Sequence, residues 1–594
     1  MPRRSDVQEK PRDRKGTLIR LGKYMAQYKM LMLLALVLTV GSNLLQLLGP
    51  MLSGYAINAI EPGAGKVDFG RVFYYAGWML VFYLVSSLLS YALSVLMVFI
   101  SQKIVVRMRK DVFDKLMELP ISFFDRYQTG DILSRISYDI DTVNASLSND
   151  LVQILTSIIT VVGSFGMMFM ISKQLVLVFV FTVPASILFT RYMTRKVRPL
   201  FSRRSYMLGR LNGFVEEMVS GQKTIRAYNR EKVILGRFDK QNDEAVEAYY
   251  RAEYYGSMTG PSVNFINNLS LSLISVFGVL LYLAGSMVLG DVSSFVLYSR
   301  KFSGPINEAA NILSELQSAM AAAERVFRLL DEPIEPADAP DAQVLQKPEG
   351  QVDMEHVSFG YDEKKLILKD LSLTARPGSL VAIVGPTGAG KTTLINLLMR
   401  FYDPQKGEIR IDGINTLKLT RSSLRGSFAM VLQDTWLFKG TIMENIRYGR
   451  LDATDEEVIA AAKAAHAHRF IQTLPGGYQM ELNEDASNVS QGQKQLLTIA
   501  RAILADNKIM ILDEATSSVD TRTEQQIQDA MNRLMEGRTS FVIAHRLSTI
   551  RDADMILVMR DGDIIEQGRH EELLEKNGFY AELYNSQFAD AAAS

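Results

Sequence analysis

A glycine-rich loop at residues 385–393 contains the residue types that bind nucleotide phosphates. It follows an apolar run at 380–384 and precedes another at 394–398, which gives the order strand, turn, helix. Glycines let the backbone curl so that its N–H groups converge on phosphate oxygens, and the following helix adds the positive end of its dipole. A lysine there neutralises the terminal phosphates and the next threonine can bind Mg²⁺, which favours a P-loop over a glycine-rich turn with a chance lysine. The candidate phosphate-binding residues are Gly385, Pro386, Thr387, Gly388, Ala389, Gly390, Lys391, Thr392 and Thr393, with Thr392 also a candidate Mg²⁺ ligand.

Two acids follow a second apolar run, at 509–512, in the order Asp513, Glu514. A carboxylate at the end of a buried strand can hold Mg²⁺, often through water, and the acid after it is placed to polarise the water that attacks the γ-phosphate. An ordinary strand that ends in polar residues would look similar in isolation. Because the P-loop lies about 120 residues upstream, we assign Asp513 to the metal and Glu514 to hydrolysis.

Length and composition indicate a protein that is partly embedded in a membrane. A chain of 594 residues is too long for one core, and 48% hydrophobic with 22% charged residues suits a membrane domain joined to a soluble one. The formal net charge is zero, which argues against a broad nucleic-acid-binding surface. The chain has no cysteine, which excludes disulfides, zinc–thiolate sites and iron–sulfur clusters.

The N-terminal half contains six hydrophobic segments, each near the roughly 20 residues needed to span a bilayer. The third and fourth are separated only by residues 172–174, and the fifth and sixth only by 290–291. The stretches after the second and fourth segments are long and rich in Lys and Arg, which are enriched on the cytosolic side of membranes. We therefore expect both the basic N-terminus and the P-loop region in the cytosol. The predicted spans are 30–57, 73–100, 151–171, 175–192, 263–289 and 292–306.

The long cytosolic stretches are predicted to be helical as well. Apolar residues recur at helical spacing at 105–119 and 211–228. The membrane helices are therefore expected to continue beyond the bilayer and to turn back near 122–132 and 228–231.

Two charged residues, Arg300 and Lys301, lie inside the sixth predicted span. They are about eight residues from its start, or roughly 12 Å along a helix. A charge at that depth usually faces a water-filled cavity. A later start of the span, or side chains that snorkel to the interface, would also explain them.

A Pro-, Asp- and Glu-rich stretch after residue 330 is typical of an extended linker. Beyond it, β-rich runs alternate with helical patterns, which indicates an α/β nucleotide-binding domain. The predicted fold class is an all-α transmembrane domain of six helices with elongated cytosolic parts, followed by an α/β P-loop domain. The predicted division is a basic cytosolic lead-in at 1–29, a transmembrane domain at 30–330, a linker at 331–351, an ATP-binding domain at 352–588 and a tail at 589–594.

A polar segment at 488–495 leads into an apolar helical pattern at 496–504. A serine and a glycine at a helix start form a second phosphate-binding end, here with Ser490, Gly492 and Gln493. The arrangement resembles the signature motif of the ATP-binding cassette (ABC) transporters. With the six spans and the elongated helices, the chain resembles an exporter-type half-transporter of the multidrug-exporter kind. The resemblance covers nearly all of the sequence after about the first 15 residues.

The resemblance implies roles for further residues. Tyr361 matches the aromatic residue that stacks on adenine, Gln433 the glutamine that senses Mg²⁺ and the attacking water, and His545 the histidine that contacts the γ-phosphate. Residues 517–520 match the loop that crosses between paired cassettes, and 221–228 resemble the second coupling region. The resulting candidate sets are Glu514, His545 and Gln433 for catalysis, and Thr392, Gln433 and Asp513 for Mg²⁺.

The resemblance also implies a partner chain. In this family each ATP lies between one cassette's P-loop and the other's signature serine, so one chain must pair with a second half-transporter. Residues 489–493 depart from the commonest signature by Val489 and Gln491, and Asn483 and Ala486 stand where many exporters have glycines. Because Glu514 is retained, this pattern favours a heterodimer, although a homodimer stays possible.

The function implied is an ATP-hydrolysing export subunit that uses ATP and Mg²⁺ and works by alternating access. Its substrates would be amphiphilic drugs, lipids or peptides, and its location a multi-pass position in a bacterial inner (cytoplasmic) membrane with the N-terminus and the cassette in the cytosol. Two alternatives are a membrane protein or channel that ATP only regulates, and a cassette ATPase that acts on nucleic acid. The long apolar spans and the absence of a basic face oppose the second of these.

Overall fold

The computed structural model describes residues 13–60, 66–362, 365–433, 435–513, 521–544 and 547–588. The chain forms two compact units, of which the first contains Met1–Leu119 and Tyr127–Pro333 and the second Pro120–Arg126 and Ile334–Ser594. The predicted fold class is confirmed, because a helical membrane domain is followed by a domain that contains β-sheets.

The first unit is built of helices, whose starts are capped by polar side chains. Asp68 accepts a hydrogen bond from the N–H of Arg71 at 3.1 Å. Ser172 alone separates two long helices, and its Oγ accepts from the N–H of Leu175 at 3.3 Å, so the predicted tight connection is a single extended residue. The helices up to residue 330 are α1 (Arg14–Ala26), α2 (Lys29–Asn58), α3 (Phe69–Glu118), α4 (Ile121–Arg126), α5 (Thr129–Ser134), α6 (Ile140–Ala145), α7 (Leu151–Ile171), α8 (Lys173–Ser220), α9 (Gln222–Ala227), α10 (Glu231–Ser257), α11 (Thr259–Leu283) and α12 (Leu289–Leu330), with π-helical turns at Arg135–Asp139 and Ser146–Asp150.

Several of these helices are much longer than a bilayer is thick. The 50 residues of α3 extend about 75 Å at 1.5 Å per residue, against roughly 30 Å for the hydrocarbon core. As predicted, such helices continue outside the membrane. Five stretches of the described chain are long and apolar enough to span a membrane, and the sixth predicted span lies at the start of α12, which is not among them. The five are Lys29–Asn58, Phe69–Glu118, Thr129–Ile171, Lys173–Ser220 and Glu231–Leu283.

The core of the first unit forms around one face of α12. Phe295, Tyr298 and Phe302 are buried there, against Met168 of α7 and Phe179 of α8. A second fixed point lies further along α12, where the guanidinium of Arg325 donates to both carboxylate oxygens of the buried Asp139, at 2.9 and 2.5 Å. Buried ion pairs of this bidentate kind set the register of the helices that they join.

The second unit contains two main sheets. In the six-stranded sheet, in the order β12-β11-β3-β10-β9-β6, all neighbours are parallel except the antiparallel edge strand β12. Its central strands are continuous apolar runs because both faces are covered. An antiparallel sheet has the order β2-β1-β4-β5, and β7 pairs with β8. The strands are β1 (Val352–Phe359), β2 (Leu368–Ala375), β3 (Leu380–Val384), β4 (Lys406–Ile411), β5 (Ile414–Asn415), β6 (Phe428–Val431), β7 (Gly440–Thr441), β8 (Glu481–Leu482), β9 (Ile509–Asp513), β10 (Thr539–Ile543), β11 (Met555–Arg560) and β12 (Asp563–Gly568).

Helices cover the faces of the six-stranded sheet, and the longest of the cassette helices, α18 and α19, pack with β9 and β10 in one apolar core. The helices of this unit after α4 are α13 (Lys391–Leu398), α14 (Arg421–Arg425), α15 (Ile442–Arg447), α16 (Asp455–Ala464), α17 (His468–Thr473), α18 (Gln491–Ala505), α19 (Thr521–Met535), α20 (Leu547–Arg551), α21 (His570–Glu575) and α22 (Phe579–Phe588), with 3₁₀ turns at Thr416–Lys418 and Gly477–Gln479.

The acidic segment after residue 333 packs on this second unit through arginines of α14. Arg421 is nearly buried and donates to the carbonyl oxygen of Pro336 at 2.6 Å and to Asp338 at 3.0 Å. Arg425 donates to both oxygens of Glu335, at 3.1 and 2.5 Å. Bidentate charge-assisted bonds of this kind hold a segment without regular secondary structure in one place.

Candidate nucleotide-binding site

The P-loop leaves the centre of the parallel sheet at the carboxyl end of β3 and enters α13. Gly385 has φ of 153° and Gly390 has φ of 103°, which glycine adopts readily and L side chains rarely do. A Cβ at Gly385 would lie 2.2 Å from the carbonyl oxygen of Met559, and one at Gly390 would lie 2.7 Å from Leu368 Cδ2. Both glycines are therefore required by the close approach of neighbouring chain segments.

Lys391 lies at the start of α13 and folds back over the loop. Its Nζ donates to the carbonyl oxygens of Gly385 at 2.6 Å and of Pro386 at 3.2 Å. Burial lowers the pKa of Lys391, and the nearby carboxylate of Asp513 partly offsets that shift. The loop thus holds a half-buried ammonium beside its own backbone, where it can contact phosphate oxygens.

Asp513 ends β9 at the same edge of the sheet as the P-loop. Ile543 of β10 pairs with Ile383 of β3 on one side and with Asp513 on the other, so Asp513 lies two strands, or roughly 10 Å, from the end of β3. Thr392 and Gln433 are exposed, and Gln433 follows β6, the strand next to β9. The hydroxyl, carboxylate and amide oxygens of these residues are hard donors of the kind that Mg²⁺ accepts, together with nucleotide phosphates. The described residues contain no cluster of three or more His, Asp or Glu side chains.

Tyr361 stands beside the P-loop helix with about half of its surface exposed. Its phenol donates to Thr393 Oγ1 at 3.3 Å and accepts from Asn396 Nδ2 at 3.2 Å, and both partners belong to α13. The ring is fixed from the other side by edge-on contacts with Phe359 and Tyr402, at centroid distances of 5.1 and 5.0 Å. An aromatic ring held this way can offer a face to a purine base.

The signature segment caps α18. Ser490 Oγ accepts from the N–H of Gln493 at 3.3 Å, and Gln493 Oε1 accepts from the N–H of Ser490 at 2.9 Å, a reciprocal capping box. Gly492 is buried, whereas Ser490 is exposed at the end of the helix. The serine is thereby presented at a positive helix terminus, the place where anions bind.

The departures from the common signature pattern have structural consequences. Ala486 is buried and has φ of 46°, a left-handed conformation that costs an alanine more than a glycine. Gln491 is exposed and donates to Thr435 Oγ1 at 3.4 Å. Asn483 accepts from the N–H of Ser487 at 2.7 Å and so stabilises the turn before the signature.

The structure brings together the P-loop, Asp513 and Tyr361, while the signature belongs to a separate helix, α18. Glu514, His545 and the loop at 517–520 lie outside the described residues, so their roles stay predictions. Sequence reasoning missed Tyr402, which contacts Tyr361 and donates to Asp125 of α4 at 2.5 Å. The only signal in the sequence was an aromatic pair directly after the P-loop helix, and it says nothing about a partner 277 positions away.

Two family models match the sequence. The ABC transporter transmembrane region matches residues 32–306, and the ABC transporter model matches residues 368–517. YfiC of Bacillus subtilis (strain 168), described as an ABC transporter ATP-binding protein, is 45% identical over 579 residues, which are 98% of this chain and 95% of YfiC.

A second relative and a solved structure extend this similarity. The fatty acid ABC transporter ATP-binding/permease protein of Mycobacterium tuberculosis (strain CDC 1551 / Oshkosh) is 47% identical over 525 residues, 88% of this chain and 83% of that protein. The structure of a bacterial Atm1-family ABC exporter with ATP bound superposes with a TM-score of 0.73 at 30% sequence identity, and the match covers 96% of this chain and 98% of that one.

Proposed function

The chain belongs to the ABC transporter family, as an exporter half-transporter that joins one membrane domain to one ATP-binding cassette, and we propose that it pairs with a second half-transporter to export lipid-like amphiphiles. The observation that carries the proposal is the arrangement of the cassette. It has a P-loop with its lysine, a metal-binding aspartate at the same sheet edge, and a signature serine at the start of a separate helix. Neither of the two alternatives, a channel regulated by ATP or a cassette that acts on nucleic acid, is favoured by these similarities.

In the proposed reaction, the loop N–H groups and Lys391 hold the β- and γ-phosphates while Tyr361 stacks on adenine. Thr392 and Asp513 hold Mg²⁺, with Gln433 close to the metal and to the attacking water. When bound, Mg²⁺ would neutralise charge on the phosphates. Glu514 polarises the water that attacks the γ-phosphate, and His545 contacts that phosphate. Ser490, Gly492 and Gln493 close over the nucleotide of the partner cassette.

We infer that the partner is a different half-transporter. Support comes from the altered signature, in which Gln491 replaces the common glycine and Ala486 adopts a left-handed backbone conformation. Such a signature fits a site at which the partner's ATP is bound rather than rapidly hydrolysed, whereas this chain retains Glu514. A homodimer is the second candidate, because Ser490 and the free N–H groups of α18 remain available. The test is ATP hydrolysis by the purified chain alone: activity well below that of the same chain with a second half-transporter supports the heterodimer, and equal activity contradicts it.

The substrate and the orientation are the finer parts of the proposal. The name of the mycobacterial relative supports a lipid-like substrate with a carboxylate, and drugs or peptides are the other candidates. The excess of Lys and Arg in the long connections supports a cytosolic N-terminus and cassette in a bacterial inner membrane. ATP-dependent uptake of labelled amphiphile into inside-out vesicles tests both parts at once. Uptake by right-side-out vesicles with external ATP would contradict the orientation.

A further inference from the structure

Arg300 and Lys301 lie near the middle of the membrane-spanning part of α12. Arg300 follows the helix start at Leu289 by 11 residues, or about 16 Å, against a hydrocarbon core of roughly 30 Å. The level of the helix start is fixed, because the N–H of Gly290 donates to Asn58 Oδ1 at 2.7 Å at the end of α2. These cations therefore lie far from both interfaces.

Contacts deeper along α12 hold the helix at this level. Ser294 Oγ donates to the carbonyl oxygen of Pro50 at 2.9 Å, and the phenol of Tyr298 donates to the carbonyl oxygen of Leu47 at 2.6 Å. Both acceptors belong to α2, and both donors are buried. Sliding α12 by one turn to bring the cations toward an interface would break all of these bonds.

The face of α12 that carries Arg300 is polar over several turns. Phe295, Tyr298 and Phe302 occupy the buried face. The opposite face has exposed residues at spacings of three and four, as expected for one side of a helix. These exposed residues are Arg300, Gly304, Glu308, Asn311 and Glu315.

Other exposed helix faces of this unit look different. On α3, Leu80, Leu84 and Leu88 are exposed by 63%, 57% and 67% and form the apolar surface that lipid tails require. A guanidinium in the same position would be costly unless it met water or an anion. The polar face of α12 is therefore suited to an aqueous, substrate-accessible cavity rather than to lipid.

The two cations have no protein counter-charge among the described residues. No hydrogen bond or ion pair of the described side chains reaches Arg300, which is exposed, or Lys301, which is half-buried. The nearest acids on the same face, Glu308 and Glu315, lie about 12 and 22 Å further along the helix axis. Glu308 accepts from Gln153 Nε2 at 2.9 Å instead. The site offers two positive charges and no internal partner.

We propose that Arg300 and Lys301 bind the oxyanion headgroup of the amphiphile that this transporter exports, with a fatty-acid carboxylate as the best-fitting ligand. A guanidinium can hold a carboxylate through two parallel hydrogen bonds, and the adjacent ammonium adds a second charge. The inference rests on the proposed export function and adds the chemical class of the substrate. A phospholipid phosphate has the same oxyanion chemistry and is the other source.

The test measures binding without ATP, using the full chain with its partner half-transporter in neutral-lipid nanodiscs and radiolabelled oleate as the probe. Methyl oleate, which has the same chain and no charge, should compete at least tenfold more weakly than oleate. The double variant R300Q/K301Q should weaken oleate binding about tenfold or more, because hydrogen bonds between charged groups are stronger than those between neutral ones. R300K/K301R should retain most of the affinity. Lys173→Gln, at the turn between α7 and α8, is the matched control for removal of a cation.

Equal competition by methyl oleate, or unchanged oleate affinity in R300Q/K301Q, would overturn the inference. Competition by phosphatidic acid that depends on Arg300, with no binding of oleate, upholds oxyanion recognition and assigns it to a phospholipid. Size-exclusion profiles and ATP binding of each variant establish that it is folded. If oleate binds with the expected charge dependence but vesicles show no ATP-dependent uptake, the export function fails and the binding site stands. If uptake of other amphiphiles is normal and oleate binding ignores charge, only this inference fails.

Discussion

The phenol of Tyr402 donates a 2.5 Å hydrogen bond to the Asp125 carboxylate, and the same ring lies edge-on to Tyr361 with 5.0 Å between centroids. Asp125 belongs to α4, which lies in the chain between two helices of the membrane unit but packs within the cassette unit. Tyr361 in turn donates to Thr393 of the P-loop helix. A continuous series of contacts therefore joins α4 to the place where adenine is expected to stack.

Removal of the Tyr402 hydroxyl should loosen α4. We expect Tyr402→Phe or Asp125→Asn to cost about 1 kcal/mol and to raise amide hydrogen exchange in α4 roughly fivefold. Tyr448→Phe, which removes a phenol hydroxyl elsewhere in the cassette, is the control. Unchanged exchange in α4 would show that the hydrogen bond does not hold the helix.

The Tyr402 contact should be insensitive to pH over the physiological range. Burial raises the pKa of Tyr402 above its ordinary value of 10.0, and the hydrogen bond to Asp125 raises it further. A raised pKa means that the stabilisation is fully present below the unfolded-state pKa and is lost only as the pH rises through the folded-state value. The exchange difference between wild-type and Tyr402→Phe should thus persist from about pH 6 to 9. A difference that disappears within that range would contradict this assignment.

The acidic segment at 334–338 should detach when its buried arginine is replaced. Arg421→Met removes the donors to Pro336 and Asp338 and leaves partly exposed carboxylates unpaired, at a cost of about 2 kcal/mol. We expect faster proteolysis between residues 334 and 345, measured by mass spectrometry of the fragments. Arg376→Met, an exposed arginine of the same unit, should leave the cleavage rate unchanged. Equal cleavage of both variants would mean that Arg421 does not hold the segment.

The general fold and the phosphate-binding edge could be predicted from the sequence because each depends on local pattern. The apolar run before Gly385 and the run that ends at Asp513 are strands because they are short, continuous and bounded by polar turns, and parallel strands place their carboxyl ends at one edge. The contacts of Tyr402 with Asp125 and of Arg425 with Glu335 could not be predicted. Their partners are 277 and 90 positions apart, and a single charged or aromatic residue carries no periodicity that identifies a partner.

The predicted asymmetry of the dimer gives different costs for two substitutions. Lys391→Ala should weaken ATP binding at least tenfold, because it removes the charge-assisted hydrogen bonds to phosphate, and should abolish most hydrolysis at the site that contains Glu514. Ser490→Ala acts on the partner's nucleotide, so in a heterodimer it should lower total ATP hydrolysis less than Lys391→Ala does. Thr454→Ala, which breaks the same kind of capping box in α16, controls for the removal of a helix cap. Equal reductions in Lys391→Ala and Ser490→Ala would favour a homodimer.

The central claim is that this chain's P-loop binds ATP for hydrolysis with the help of Glu514. The most direct test is the ATP hydrolysis rate of the reconstituted transporter with Glu514→Gln, measured beside its affinity for ATP, with Glu484→Gln at an exposed position as the control. We predict a fall in hydrolysis of about 100-fold or more with ATP affinity retained. Near-normal hydrolysis by Glu514→Gln would contradict the account.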